Sequence, residues 1–395
     1  MSDKSFIVIG ITDRREQRFS PEITEIIATN RIFSGGLRHH EILLPWLPSN
    51  HVWIDITVPL EKVWCQYKQH SRIVVFASGD PLFHGYAVTL KREFPNIKLT
   101  VFPAFNSLQM LAHRILLPYA DMVNVSLTGR DWNGLDSALI KRKTLIGILT
   151  DHKKNPAKIA SRLLYYGYDN YRMYIGENLG NEHNERIKEL SLHEAKDTSF
   201  THPNCVILQQ KHAHQYFFGI PEREFFHLEG REKMITKMPI RLLTISMLEL
   251  PGKKSFWDIG FCTGSVSIEA KRQFPHLKVT AFERRENSRE LMIKNCHKFG
   301  VPGIETIIAD FMDCDLSVYP PPDAVFIGGH GGNLTAMIER IVTVLLPGGV
   351  IVFNSVSPQS SEMFEKGIEK VSMSIVESHS ITLDEFNPIK ILKAK

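Results

Sequence analysis

Short apolar runs recur along this chain, and most are followed by a stretch whose apolar residues fall at helical spacing. In the first half the runs lie at Ser5–Gly10, Arg31–Ser34, Arg72–Ala77, Leu99–Phe102, Val123–Leu127, Leu145–Leu149, Met173–Gly176 and Asn204–Gln209. Their β-branched and aromatic content predicts strands. Helices are predicted where Pro21 opens EITEIIA, across LFHGYAVTLKREF after Pro81, after PAFNS, and from Pro156. In the second half strands are expected at Phe256–Asp258, Lys278–Phe282, Glu305–Ala309, Asp323–Ile327 and VIVFNSV. Helices are expected at Arg285–Phe299, Leu334–Leu345 and Ser361–Val371, and a final strand pair near Met373–Ile381 and Ile389–Lys393. Such alternation predicts the α/β class, with ligands at the carboxyl edge of parallel sheets.

A length of 395 residues suggests two domains, at most three. The 43% hydrophobic and 23% charged residues fit an ordinary globular protein. A net charge of +4 is too small to imply a nucleic-acid partner. No stretch of ~20 apolar residues is present, so no membrane span is expected. Five cysteines at irregular spacing make neither a metal signature nor a disulfide framework, and an odd count suits a reducing cytoplasm. The expectation is a soluble cytoplasmic protein with no metal. The segment KHAHQYFFGIPEREFFHLEG, 211–230, interleaves histidines and aromatics with both charges. It reads as a linker between domains at 1–210 and 231–395, with the boundary near Gln210–Gly219. Its alternative, a single-strand nucleic-acid segment, is weakened by its acids.

The candidate chemistry is densest at FWDIGFCTGSVSIEA, Phe256–Ala270. A strand ends at Asp258, and Gly260, Phe261, Cys262, Thr263 and Gly264 make a turn into a helix. Glycine lets a backbone approach a cofactor closely. Glu283 tips the next strand roughly 20 residues on, where an acid suits ribose hydroxyls. Ala309 and Asp310, after the third strand, are expected at an adenine edge. Cys262 stands where a dinucleotide fingerprint has glycine, so a nicotinamide pyrophosphate fits poorly. S-adenosylmethionine has ribose and no phosphate, and suits a looser turn. The alternative is a turn that only packs helix on sheet, and Glu283 and Asp310 weigh against it. The fourth strand ends in Ile327–His330 and not in an Asn/Asp-Pro-Pro-aromatic motif, which argues against amino-group methylation.

In the first half Ser78, Gly79 and Asp80 begin an SGDP turn after a strand. Asn106 and Ser107, Thr128 to Arg130, and Thr150 with Asp151 follow other strands. Asn106 or Ser107 has a helix N-cap as its plainer role. His39 and His40, beside Glu41, suggest a catalytic or metal-binding pair, but no further ligand lies at useful spacing, and the plainer reading is a polar loop.

These motifs carry two resemblances. VVFASGDPLFHG, FPAFNSLQML, VSLTGRD, LTD and ENLGNEHNERI occur in the order seen in tetrapyrrole methylases, most similar to the cobalt-precorrin-7 C-5 branch, over about residues 5–210. The resemblance implies a two-lobed cleft for S-adenosylmethionine lined by Ser78, Gly79, Asp80, Asn106, Ser107, Thr128 and Thr150. One departure is the first loop, where Ile11, Thr12, Asp13 and Arg14 follow Gly10 in place of a Gly-Pro-Gly type. From about residue 219 the chain resembles class I decarboxylating C-15 methyltransferases, through WDIG, TGSVSIEA, DAVFIGG and LPGG. That resemblance implies a doubly wound Rossmann-like domain and a cofactor contact at Thr236, whose plainer role is a helix N-cap. Cys262 and His330 depart from the usual glycine and serine.

Together the resemblances imply a fused, homo-oligomeric enzyme of cobalamin biosynthesis. It would methylate carbons 5 and 15 of precorrin-6B and remove the carbon-12 acetate as carbon dioxide. Positioning dominates such carbon methylation, and the conjugated ring itself serves as electron sink. The catalytic candidates are His330 and Asp80, and Arg130 and Arg241 are candidates for pairing with substrate carboxylates. The alternatives are a methyltransferase on another tetrapyrrole or a nucleic acid, and a non-catalytic corrinoid-binding protein.

Overall fold

The computed structural model describes residues 4–212, 218–383 and 388–395. The chain forms two compact units that interleave along the sequence. One comprises Met1–Arg130, Thr144–Ser161 and Asn170–Lys211; the other comprises Asp131–Lys143, Arg162–Asp169 and His212–Lys395. Residues 213–217 of the expected linker lie outside the described residues.

The first unit holds ten strands in two sheets. Strands β1 (Ser5–Ile11), β2 (Ile32–Gly35), β3 (Val52–Asp55), β4 (Arg72–Ser78) and β5 (Lys98–Phe102) form a parallel sheet in the order β3-β2-β4-β1-β5. Its central strands β1 and β4 are apolar between their ends because both faces are covered. Phe6, Val8 and Val75 pack on one side, and Ile7, Ile9 and Phe76 on the other. Strands β6 (Val123–Ser126), β7 (Leu145–Leu149), β8 (Tyr171–Glu177), β9 (Arg186–Ser191) and β10 (Asn204–Gln210) form a mixed sheet in the order β6-β7-β10-β8-β9. The last strand of the unit is inserted between β7 and β8, antiparallel to both.

Two strands escape the hydrophobic pattern. β3 is short, and β9 (RIKELS) is a charged edge strand with no fully buried residue. The helix expected across residues 82–94 begins only at Tyr86. Asp80 Oδ1 accepts the Leu82 N–H at 2.8 Å, and His84 sits at φ 54°. These residues make a turn, and Gly85 closes it so tightly that a Cβ there would lie 2.4 Å from the Pro81 carbonyl oxygen.

The second unit is doubly wound. Strands β11 (Ser255–Ile259), β12 (Lys278–Glu283), β13 (Ile304–Ile308), β14 (Ala324–Ile327), β15 (Val350–Ser355), β16 (Ile375–Ile381) and β17 (Ile389–Ala394) are ordered β13-β12-β11-β14-β15-β17-β16. The first five are parallel, and β17 runs antiparallel to both β15 and β16. Trp257, Val325 and Ile351 pack on one face of the sheet, and Phe256, Phe326 and Val352 on the other. The strand order reverses between β11 and β14, and ligands bind at such switch points.

Candidate functional site

Each unit has a cavity at the carboxyl ends of its parallel strands. In the second unit it measures about 330 Å³ and is walled by the turn after β11, the tips of β12 and β13, and the loop after β14. Gly260 has φ +79°, and a Cβ there would lie 2.6 Å from the Gly329 nitrogen. Cys262 takes the same left-handed region at φ 50°. Burial, with the Glu283 charge behind it, pushes its thiol up to about 11, so it stays a neutral SH. Gly264 does not line the cavity; its missing Cβ makes room for Met292.

Glu283 is nearly buried, and backbone geometry orients it. Its carboxylate accepts the N–H groups of Cys262 at 3.1 Å, Arg284 at 3.0 Å and Arg285 at 3.1 Å. The Arg285 guanidinium is 3.1 Å away. Such a carboxylate accepts strongly charge-assisted hydrogen bonds in a fixed direction. Asp258 lies behind it, fully buried. Its Oδ2 accepts the Ser267 N–H at 3.1 Å, while Oδ1 has no hydrogen-bond partner. Burial raises Asp258 to about 7, opposed by Ser267 and reinforced by Glu283. Asp310 lines the cavity after Ala309 and caps a short helical turn by accepting the Met312 N–H at 3.0 Å. His330 is on the opposite wall. Its Nδ1 accepts the Gly332 N–H at 3.2 Å, which puts the neutral ring's proton on Nε2, and burial lowers its pKa.

A strap, residues 219–237, closes one side. The Glu269 carboxylate, fully buried, accepts the N–H groups of Gly219 at 3.2 Å and Ile220 at 2.9 Å. Arg241, equally buried, faces Glu269 at 3.4 Å and donates to the carbonyls of Ile220 and Thr236. Asn295 donates to the Phe226 carbonyl and accepts its N–H. The fastened strap brings Met234 to Lys237 into the cavity wall. Two expectations are corrected here. Arg241 cannot meet a substrate carboxylate, because its charge is spent on the strap. Thr236 is not the N-cap, which is Lys237; Thr236 serves through its carbonyl.

The first unit's cavity measures about 540 Å³ and lies between the two sheets of that unit. Gly79, at φ +64°, accepts at its carbonyl from Ala104 N, and its own N–H reaches the Ile11 carbonyl at 2.8 Å. Ser78, Asn106, Ser107, Thr128 and Thr150 all line this cavity. Their polar groups are partly engaged. Asn106 makes a capping box with Gln109, so its plainer role is real. Thr128 Oγ1 donates to the Thr150 carbonyl, and Thr150 Oγ1 to Asn204. Asp80 is not among the lining residues and holds the turn. Arg130 also lies outside the lining and donates to His84 Nδ1 at 3.1 Å. The bulky first loop is braced by Gln17, whose side chain donates to the Thr12 carbonyl at 3.0 Å.

Arg38 was missed as a site residue, and His39, read chiefly as part of a polar loop, stands on the helix Leu37–Leu43. Both line this cavity, beside Ser78. The signal that finds them is positional: they follow Gly35–Gly36 at the carboxyl end of a parallel strand. Among the described residues no cluster of histidine, cysteine and acids suits a metal ion, and no helix is long and apolar enough to cross a membrane.

Residues 225–386 match the model of the precorrin methyltransferase domain, and residues 29–196 that of the tetrapyrrole (corrin/porphyrin) methylases. A probable cobalt-precorrin-6B C(15)-methyltransferase (decarboxylating) of Pyrobaculum aerophilum is 33% identical over 144 residues, which are 36% of this chain and 72% of that protein. The chain belongs to the precorrin methyltransferase family. A precorrin-6Y C(5,15)-methyltransferase [decarboxylating] of a Sinorhizobium species is 29% identical over 358 residues, 89% of this chain and 84% of that one. The crystal structure of precorrin-6y C5,15-methyltransferase from Geobacter metallireducens covers 46% of this chain and 99% of its own, with 32% identity and a TM-score of 0.43. Both family regions are present in the chain, in the order that the two resemblances imply.

Proposed function

We propose that this chain is a bifunctional S-adenosylmethionine-dependent enzyme of cobalamin biosynthesis, methylating carbons 5 and 15 of a precorrin-6B type ring and decarboxylating its carbon-12 acetate. The observation that carries the reading is the presence of two separate cavities, each at a parallel strand edge with a left-handed glycine, within two methylase regions of one chain. Residues up to about 210 serve carbon 5, residues from about 231 serve carbon 15, and 211–230 join them.

The second cavity fits the donor. Glu283 presents an acceptor-only group to ribose hydroxyls, and Gly260 to Thr263 present bare backbone. Asp258 has a buried oxygen with no hydrogen-bond partner among the described residues. Ala309 and Asp310 address the adenine edge, and Thr236 completes the wall. In the first cavity Gly79, Asn106, Ser107, Thr128 and Thr150 hold the donor, chiefly through backbone groups. When bound, the donor supplies a methyl group on a sulfonium. The chain's residues hold the acceptor carbon in line and exclude water. In decarboxylation the electron pair of the broken carbon–carbon bond passes into the conjugated ring, and a proton must reach the side-chain carbon. His330, on the wall, can deliver it only from its protonated form, which burial makes the stronger acid.

Incubation with precorrin-6B and S-adenosylmethionine tests the reading by mass spectrometry. The expected product has gained two methyl groups and lost one carbon dioxide. Calorimetry with S-adenosylhomocysteine should find two sites per chain; none would leave a non-catalytic binding protein. We also infer a homo-oligomer, which sedimentation checks.

A further inference from the structure

Ser78 ends β4 at the mouth of the first cavity with its side chain exposed. Two donors converge on its oxygen. His39 Nε2 lies 2.9 Å from Ser78 Oγ, and Arg38 Nη2 lies 3.3 Å from it. A hydroxyl has two lone pairs and one proton. The guanidinium only donates, so it takes one lone pair. The imidazole takes the other, because the Gly36 N–H is directed at His39 Nδ1 at 3.4 Å and the neutral ring's proton then sits on Nε2. With both lone pairs occupied, the Ser78 proton must leave in a third direction.

The surroundings keep this arrangement in one protonation state. Burial first, and the Arg38 charge second, hold His39 down to about 4, against the upward pull of the Phe76 carbonyl. Arg38 is itself steered by Asp13, whose Oδ1 is 3.3 Å from its Nε, and its side chain remains 44% exposed. His202 also lines the cavity, and its pKa is lowered by burial, by His152 and by Arg38, with Asp151 opposing. His84, beside Arg130, is lowered by burial and by that arginine. The Asp13 carboxylate is paired. The wall thus offers a guanidinium and a hydroxyl proton in need of an acceptor, and an anionic oxygen supplies one.

We propose that Arg38 and the Ser78 hydroxyl, the latter oriented by His39, receive a side-chain carboxylate of the tetrapyrrole and select which edge of the ring enters the first cavity. This rests on reading that cavity as the carbon-5 site, and it gives Ser78 to the substrate instead of the methyl donor. His39 is a positioning residue; Arg38 and Ser78 touch the substrate.

The full chain tests this with precorrin-6B, following each methylation by fragment mass and measuring homocysteine-form donor affinity by calorimetry. Arg38→Ala and Ser78→Ala should raise the substrate KM for carbon-5 methylation about ten- to a hundredfold, with kcat within a few-fold and donor affinity unchanged. Carbon-15 methylation by the same molecules reports that the chain is folded. His39→Gln keeps a donor near the Nε2 position and should retain most of the affinity, whereas His39→Leu should not. An unchanged KM in Arg38→Ala overturns the proposal, and so does a parallel fall in donor affinity, which would assign the cluster to the donor. A wild-type chain that methylates only carbon 15 overturns the carbon-5 reading itself, and the carboxylate assignment with it.

Discussion

The two cavities use the same opening move and then diverge. Each places a left-handed glycine after a parallel strand, Gly79 in one unit and Gly260 in the other. In the second unit a side chain then faces the cavity, because Glu283 is held by three backbone N–H groups with its acceptor oxygens there. In the first unit the matching side chains turn inward. Asn106 is spent on a helix cap, and Thr128 and Thr150 donate to the protein's own groups. A ligand there meets backbone and a rim of histidine and arginine. One site is written in side chains, the other in chain path.

The sharpest way to break the symmetry is to remove one opening at a time. In Gly260→Ala the new Cβ would meet the Gly329 nitrogen at 2.6 Å and its Cα at 2.9 Å, both backbone, at a φ of +79°. Neither atom yields cheaply, so the turn must move. Donor stoichiometry by calorimetry should fall from two to one, with carbon dioxide release lost and carbon-5 methylation retained. Gly79→Ala meets Asn106 Cα at 2.8 Å at φ +64°, and should give the mirror result.

The strap belongs to the second unit and yields the next largest effect. Arg241→Met leaves Glu269 buried beside no cation, which typically costs about 3–5 kcal/mol. The second unit's thermal transition should fall accordingly, and protease should cut within 219–237 before the rest. Arg241→Lys should rescue little, since one ammonium cannot reach Glu269, Ile220 and Thr236 together. Unchanged cleavage and an unchanged transition would show that Glu269 and Asn295 fasten the strap without Arg241.

Glu283→Gln tests the side-chain logic directly. The amide keeps the shape and loses the charge, and one of its ends can no longer accept the surrounding N–H groups. Donor affinity at the second cavity should fall about ten- to a hundredfold, on the order of 1.5–3 kcal/mol. No single side chain in the first cavity should match that loss.

This contrast explains what the sequence disclosed. The second site was legible because its turn and acid sit at fixed offsets from apolar strands. Asp258, Glu283 and Asp310 each fall at a strand tip in the pattern alone. The first was harder, because Asp80 and Asn106 look like side-chain ligands while their side chains hold the backbone. Arg38 and His39 resemble a polar loop until β2 is known to run parallel beside β4. Among strands, β9 was hidden because an edge strand needs no apolar run. Arg241 could not be placed from sequence, since only packing distinguishes a buried clamp from a surface charge.

The effect that is smallest over any one pH unit separates the two units by the sign of their pH response. Asp258 holds its proton up to about 7 in the folded second unit and releases it near 4 when unfolded. The folded state therefore binds more protons between those values, and its stability falls as pH rises from about 4 to about 7, with a limiting slope on the order of 1.4 kcal/mol per pH unit. His39 behaves oppositely. Its folded pKa of about 4 lies below the usual 6.5, so the unfolded chain binds the extra proton and the first unit loses stability as pH falls from 6.5 through 4. Asp258→Asn keeps the Ser267 hydrogen bond and cannot ionise. Its second-unit transition, followed by calorimetry from pH 4 to 7, should be flatter than the wild type's, while the first unit's acid-side decline persists. An identical pH slope in wild type and variant would mean that Asp258 is ionised in the fold, and that its lone oxygen has found a donor.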